Sequence, residues 1–170
     1  MKKVTMLVLV LLASPLAAQD MSAFRTGPVF TQFGPHAPVE GIDTVPGDTE
    51  FSVAFDVAKP ADEGARNRGF ESAARFINMH VAAGVPEDNI RIAVVVHGKA
   101  VNDLLARGDN ASADMVQIML EHGVRFIVCG QSAAAHGVTH DEMIPGVEMA
   151  LSAMTAHALL QQRGYTVNPF

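Results

Sequence analysis

Three side chains with reactive chemistry occupy equivalent places in this sequence: Asp56, His97 and Cys129 each close, or directly follow, a short apolar run. Cys129 is the one thiol in the chain. A thiolate is a nucleophile and a sulfur carrier, and backbone N–H groups or a nearby imidazole favour its formation. Gly130-Gln131-Ser132-Ala133-Ala134-Ala135 follows as a tight strand-to-helix turn, whose free N–H groups would face the sulfur. Gly130, Gln131 and Ser132 are therefore candidates for binding a thiolate, persulfide or sulfenate. His97 is the candidate to take the proton or pair with the thiolate, and Asp56 completes the set as a substrate-binding candidate. Each has an ordinary alternative: Asp56 as a turn cap, His97 as a loop hydrogen-bonding group, Cys129 as a small packed hydrophobe.

Placing these groups together requires a sheet. Phe51–Val57, Ile90–Val96 and Arg125–Cys129 are apolar runs rich in β-branched and aromatic residues, as in strands buried on both faces. Between the first two, residues 66–83 carry Phe70, Ala73, Ala74, Ile77 and Val81 on one helical face, with Gly84 and Pro86 to stop the helix. Between the second and third, residues 112–122 carry Val116, Met119 and Leu120, with Ser112 as N-cap and Gly123 as terminator. Alternating strand and helix implies right-handed βαβ crossovers and a parallel sheet, with ligands at its carboxyl edge. The tail is ambiguous: by propensity alone, residues 147–163 form one long helix ending at Gly164, with a final strand at 165–167.

The rest of the chain bounds the function. Of 170 residues, 49% are hydrophobic and 18% charged, which describes a single globular domain. A net charge of −6 without a basic run gives a nucleic-acid backbone nowhere to lie. Lys2-Lys3, the apolar stretch 4–12 and the small residues 13–18 read as a cleaved export signal spanning residues 1–18. The apolar stretch is too short to span a membrane, so the expected mature protein is periplasmic and soluble. Residues 19–50, rich in Pro and Gly, read as an arm, and residues 51–170 as the α/β domain.

Several near-motifs fail. Gly130-Gln131-Ser132-Ala133-Ala134 lacks the last glycine of a G-x-S-x-G elbow. Ala93 and Ala100 replace the first glycine and the hydroxyl residue of a phosphate loop. No H-E-x-x-H or C-x-x-C occurs, so neither a metal nor another cofactor is expected. His136 and His140 read as exposed loop residues; His36, His80, His122 and His157 read as arm or helix-surface residues.

The strand Ile92-Ala93-Val94-Val95-Val96-His97-Gly98, the segment Phe126-Ile127-Val128-Cys129-Gly130-Gln131-Ser132, and the closing Leu151-Ser152-Ala153-Met154-Thr155 and Gln161-Gln162-Arg163-Gly164-Tyr165 resemble secreted members of the DsrE-like family. Ala74-Arg75-Phe76-Ile77-Asn78 and Ala83-Gly84-Val85-Pro86 agree, and the likeness runs from about residue 24 to the end. It implies a three-layer α/β/α domain around about five parallel strands, assembled as a trimer or hexamer. It also implies that the tail holds a fourth strand at 147–151, a last helix at 154–163 and a fifth strand at 165–167. In the sulfur-relay members a cysteine directly after the third strand carries persulfide sulfur, and Cys129 matches that position; His97 matches the secreted branch only. Two functions follow. In the first, a periplasmic sulfur-handling protein uses Cys129 to accept sulfane sulfur and pass it to a thiol. In the second, a non-catalytic oligomeric module binds a small ligand or metal in the same strand-end pocket.

Overall fold

The computed structural model describes residues 20–168. The export signal expected at residues 1–18 lies outside the described residues. Five strands form one parallel sheet: β1 (Phe51–Val57), β2 (Ile90–Val96), β3 (Arg125–Cys129), β4 (Glu148–Ala150) and β5 (Thr166–Asn168), in the order β4-β3-β2-β1-β5. The helices are α1 (Arg68–Ala82), α2 (Ala113–Glu121), α3 (Gly130–Ala135) and α4 (Ala153–Gln162). The expected α/β class, three layers and five strands are what the chain forms, and its tail is strand, helix and strand.

The strand order dictates the layers. From β1 to β4 the sheet grows in one direction, so right-handed crossovers place α1, α2 and α3 on one face. The β4 to β5 connection returns across the whole sheet and must run over the other face, which α4 therefore covers. Strand alternation sorts the side chains accordingly. Val53, Phe55, Val57, Val94, Val96, Phe126 and Val128 pack under α1 and α2, whereas Ala54, Ala93, Val95 and Ile127 pack under Ala156 and Leu160 of α4.

One helix start and one helix cap differ from the sequence reading. α1 begins at Arg68, because Asn67 has extended backbone (φ −66°, ψ 122°) and its side chain accepts the N–H groups of Gly69 and Phe70 at 2.8 and 3.3 Å. Ser112 stands at the N-cap position of α2 but caps nothing; its Oγ accepts the Asn67 N–H at 2.9 Å, tying the two helix starts together.

The segment before β1 has little regular structure, yet Phe30 and Phe33 are each only 2% exposed in the α1-side core. Asn78, fully buried on α1, fastens it. Its Oδ1 accepts the N–H groups of Val29 and Phe30, and its Nδ2 donates to the carbonyls of Phe30, Phe33 and Gly34 at 3.0 to 3.1 Å. Gly34, at φ +67°, lies so close to α1 that a Cβ would sit 2.7 Å from the Arg75 nitrogen.

Candidate functional site

The carboxyl edge of the sheet is reached by β1, β2 and β3 side by side, in register Val57 to Val96 and Val96 to Val128. Asp56 lies two residues after Ala54, His97 two after Val95 and Cys129 two after Ile127, so all three fall on the α4 side. α4 starts at this rim because it follows β4 directly, with Ser152 as its N-cap accepting the Thr155 N–H at 3.0 Å.

Cys129 is 5% exposed and immediately precedes α3. Burial pushes its pKa up, but the Ser132 hydroxyl and the N–H groups of Ser132, Ala153 and Gln131 outweigh burial and hold the thiol below its usual range. Ser132 Oγ accepts the Gly98 N–H at 3.0 Å, which leaves its own O–H to donate to sulfur. The sulfur thus sits between the first turn of α3 and the start of α4. Because α3 has only six residues, the effect comes from individual N–H groups rather than from a long helix dipole.

Gly130 has a packing reason. A Cβ there would lie 2.8 Å from the Ala150 carbonyl oxygen and 3.3 Å from that of Leu151, so only glycine lets α3 begin against β4. Gln131 is exposed and donates from Nε2 to the Leu151 carbonyl at 3.3 Å.

Asp56 does not cap a turn. Its Oδ2 lies 3.1 Å from His97 Nε2 and its Oδ1 lies 2.8 Å from His157 Nε2, making one carboxylate shared by two imidazoles. Burial raises the Asp56 pKa, and the hydrogen bonds from His157 and His97 more than offset it, so the group sits below the ordinary aspartate range. The imidazole of His97 is turned toward β1 and committed to Asp56; the groups that lower the Cys129 pKa are the hydroxyl and N–H groups named above.

His157 is the residue that sequence reading placed wrongly, as a surface histidine. It is half-buried on α4, one turn after Ala153, and its partner is 101 residues away. A signal existed: with residues 153–162 helical, Ala153, Ala156 and Leu160 form the inner stripe, and position 157 adjoins it. His122 is exposed at the end of α2, as expected, pairing with Glu87 at 2.7 Å and meeting the Phe30 ring edge-on at 5.0 Å. His80 bonds to the Phe76 carbonyl, and His36 bonds to the Gly27 carbonyl within the arm. His136 and His140 are exposed.

Among the described residues, no group of three His, Cys, Asp or Glu side chains is placed to hold a metal ion. Each of the two imidazoles instead addresses its own oxygen of Asp56. No helix among them is long and apolar enough to cross a membrane.

The DsrE/DsrF-like family model matches residues 52–169. No curated protein matches the chain. Among solved structures, MTH1491 of Methanobacterium thermoautotrophicum, described as a protein of unknown function, superposes with a TM-score of 0.54 at 22% identity, covering 71% of this chain and 100% of its own. The ychN protein of E. coli superposes with a TM-score of 0.51 at 21% identity, with the same coverage of 71% and 100%. Identities this low speak for a shared fold alone.

Proposed function

Since this chain belongs to the DsrE/DsrF-like family, we propose that it handles sulfane sulfur, with Cys129 accepting a sulfur atom and passing it to a thiol. The observation that carries this reading is the setting of the single thiol, where Ser132 and three backbone N–H groups favour the anion despite burial. The thiolate attacks the outer sulfur of a persulfide or polysulfide donor, a new S–S bond forms on Cys129, and the donor leaves as a thiolate. The same N–H groups then hold the sulfur adduct.

The proposal extends to the protein's setting. It is a secreted member of the family, exported to the periplasm by residues 1–18 and assembled as a homo-trimer or hexamer. Leu151 at 73% exposure and Met154 at 80% support assembly, since they leave apolar surface on the α4 side uncovered. One observation favours the second reading, a non-catalytic binding module: at 5% exposure in the single chain, Cys129 is packed as closely as a core residue.

Loading tests the choice. Treated with inorganic polysulfide, the purified protein is expected to gain about 32 Da per sulfur, lost on reduction, while Cys129→Ser gains none. A wild-type chain that takes up no sulfur contradicts the proposal.

A further inference from the structure

The cluster of Asp56, His97 and His157 is not needed to lower the Cys129 pKa, yet it is built into the same rim from three elements. Its two imidazoles are not equivalent. His157 is 16% exposed at its side chain, and its Nδ1 is buried without a hydrogen-bond partner. The tautomer that buries no unpaired N–H carries its proton on Nε2 and donates it to Asp56. His97 is 32% exposed at its side chain and bonds Asp56 through Nε2, which leaves Nδ1 as the basic nitrogen of the ring. Continuing the β2 to β3 register by one residue sets His97 beside Cys129, on strands about 5 Å apart.

We infer that His157 is a positioning residue: it holds Asp56, Asp56 fixes the tautomer of His97, and His97 Nδ1 removes the proton from the acceptor thiol as that thiol attacks a persulfide on Cys129. This rests on the sulfur-handling reading and deepens it, because it assigns the acceptor's class: a thiol that arrives protonated. The acceptor sulfur bonds to the outer sulfur of the persulfide, which keeps its own proton. The S–S bond to Cys129 breaks with its electron pair left on Sγ, where the N–H groups and the Ser132 hydroxyl receive the anion. The acceptor's proton ends on His97 and passes to water, and no oxidant or reductant is consumed. The arrangement follows the logic of a base oriented by a carboxylate, with a further imidazole orienting that carboxylate.

The test separates acceptors by whether they bring a proton. Protein loaded from inorganic polysulfide is chased at about pH 8 with free cysteine, most of which still carries its thiol proton, or with sulfite, most of which has already lost its proton, and loss of about 32 Da is timed. Asp56→Asn and His157→Leu are expected to lower the ratio of the cysteine rate to the sulfite rate about tenfold or more, with His157→Gln restoring most of it, since an amide N–H can still donate to Asp56. Equal losses on both acceptors, or a Gln variant as impaired as Leu, overturn the inference. Should Asp56→Asn not fold, the His157 pair decides alone. Wild-type protein that fails to load at all contradicts the sulfur reading instead, so the two failures are distinct.

Discussion

The two faces of the sheet are built differently. Under α1 and α2 the strands present Phe55, Phe126 and a run of valines, met by Phe70, Ile77, Met115 and Met119 and sealed at one end by Phe30 and Phe33 from the segment before β1. Under α4 they present Ala54, Ala93, Val95 and Ile127, met by Ala156 and Leu160, and the rim of this face carries Asp56, His97 and Cys129. Large side chains fill one face completely, so that it can only stabilise. Small ones on the other bring a single helix close, and its first turns then supply both an N–H for the sulfur and an imidazole for the carboxylate. Polar chemistry is held on the thin face because the thick face secures the fold without it.

Truncation on each face tests that contrast. Phe126, fully buried and edge-on to Phe70 at 5.2 Å, is expected to cost about 4 kcal/mol when changed to Ala, while Leu160→Ala costs about 2 to 3 kcal/mol because the α4 side can relax into open surface. Urea denaturation measures both, and a larger loss at Leu160 breaks the comparison. Gly130→Ala sharpens it. The added methyl, 2.8 Å from the Ala150 oxygen, must push α3 from β4, costing about 1 to 3 kcal/mol and slowing sulfur loading together. Unchanged stability and loading would remove the packing reason for that glycine. The smallest effect on stability is expected at Leu151 and Met154. Changing both to Glu should shift each monomer by about 0.5 kcal/mol or less while dissociating the assembly, as light scattering would show. A wild-type protein that is itself monomeric at micromolar concentration contradicts the proposed oligomer.

The thick face was largely legible in the sequence, because the stripe through Phe70, Ala74 and Ile77 and the continuous apolar strands are local patterns. The three rim residues were legible for the same reason, since a parallel sheet gathers its strand ends. What escaped reading depends on contacts between distant segments. Asn78 lies within the α1 stripe as a polar residue, and only the chain near residue 30 explains why it is buried. Ser112 has the right type for a cap, but the N–H it accepts belongs to Asn67. His157 lies in a tail whose propensities suit one long helix, and its role appears only when α4 crosses back over β1. His97 stands next to Cys129 at neighbouring strand ends, as expected, but its Nε2 bonds Asp56, because β1 lies on the other side of β2 and offers a carboxylate.

The central claim is that the site favours the thiolate of Cys129. The most direct measurement is the rate at which the folded wild-type protein reacts with a small alkylating reagent as a function of pH, since only the thiolate reacts. The direction of the shift sets the sign: a lowered thiol pKa moves the midpoint of the rate curve to lower pH than that of free cysteine, about 8.5. Changing Ser132 to Ala should move it back upward, as a donor is lost. A midpoint at or above that of free cysteine, or a thiol that reacts only after unfolding, would contradict the account.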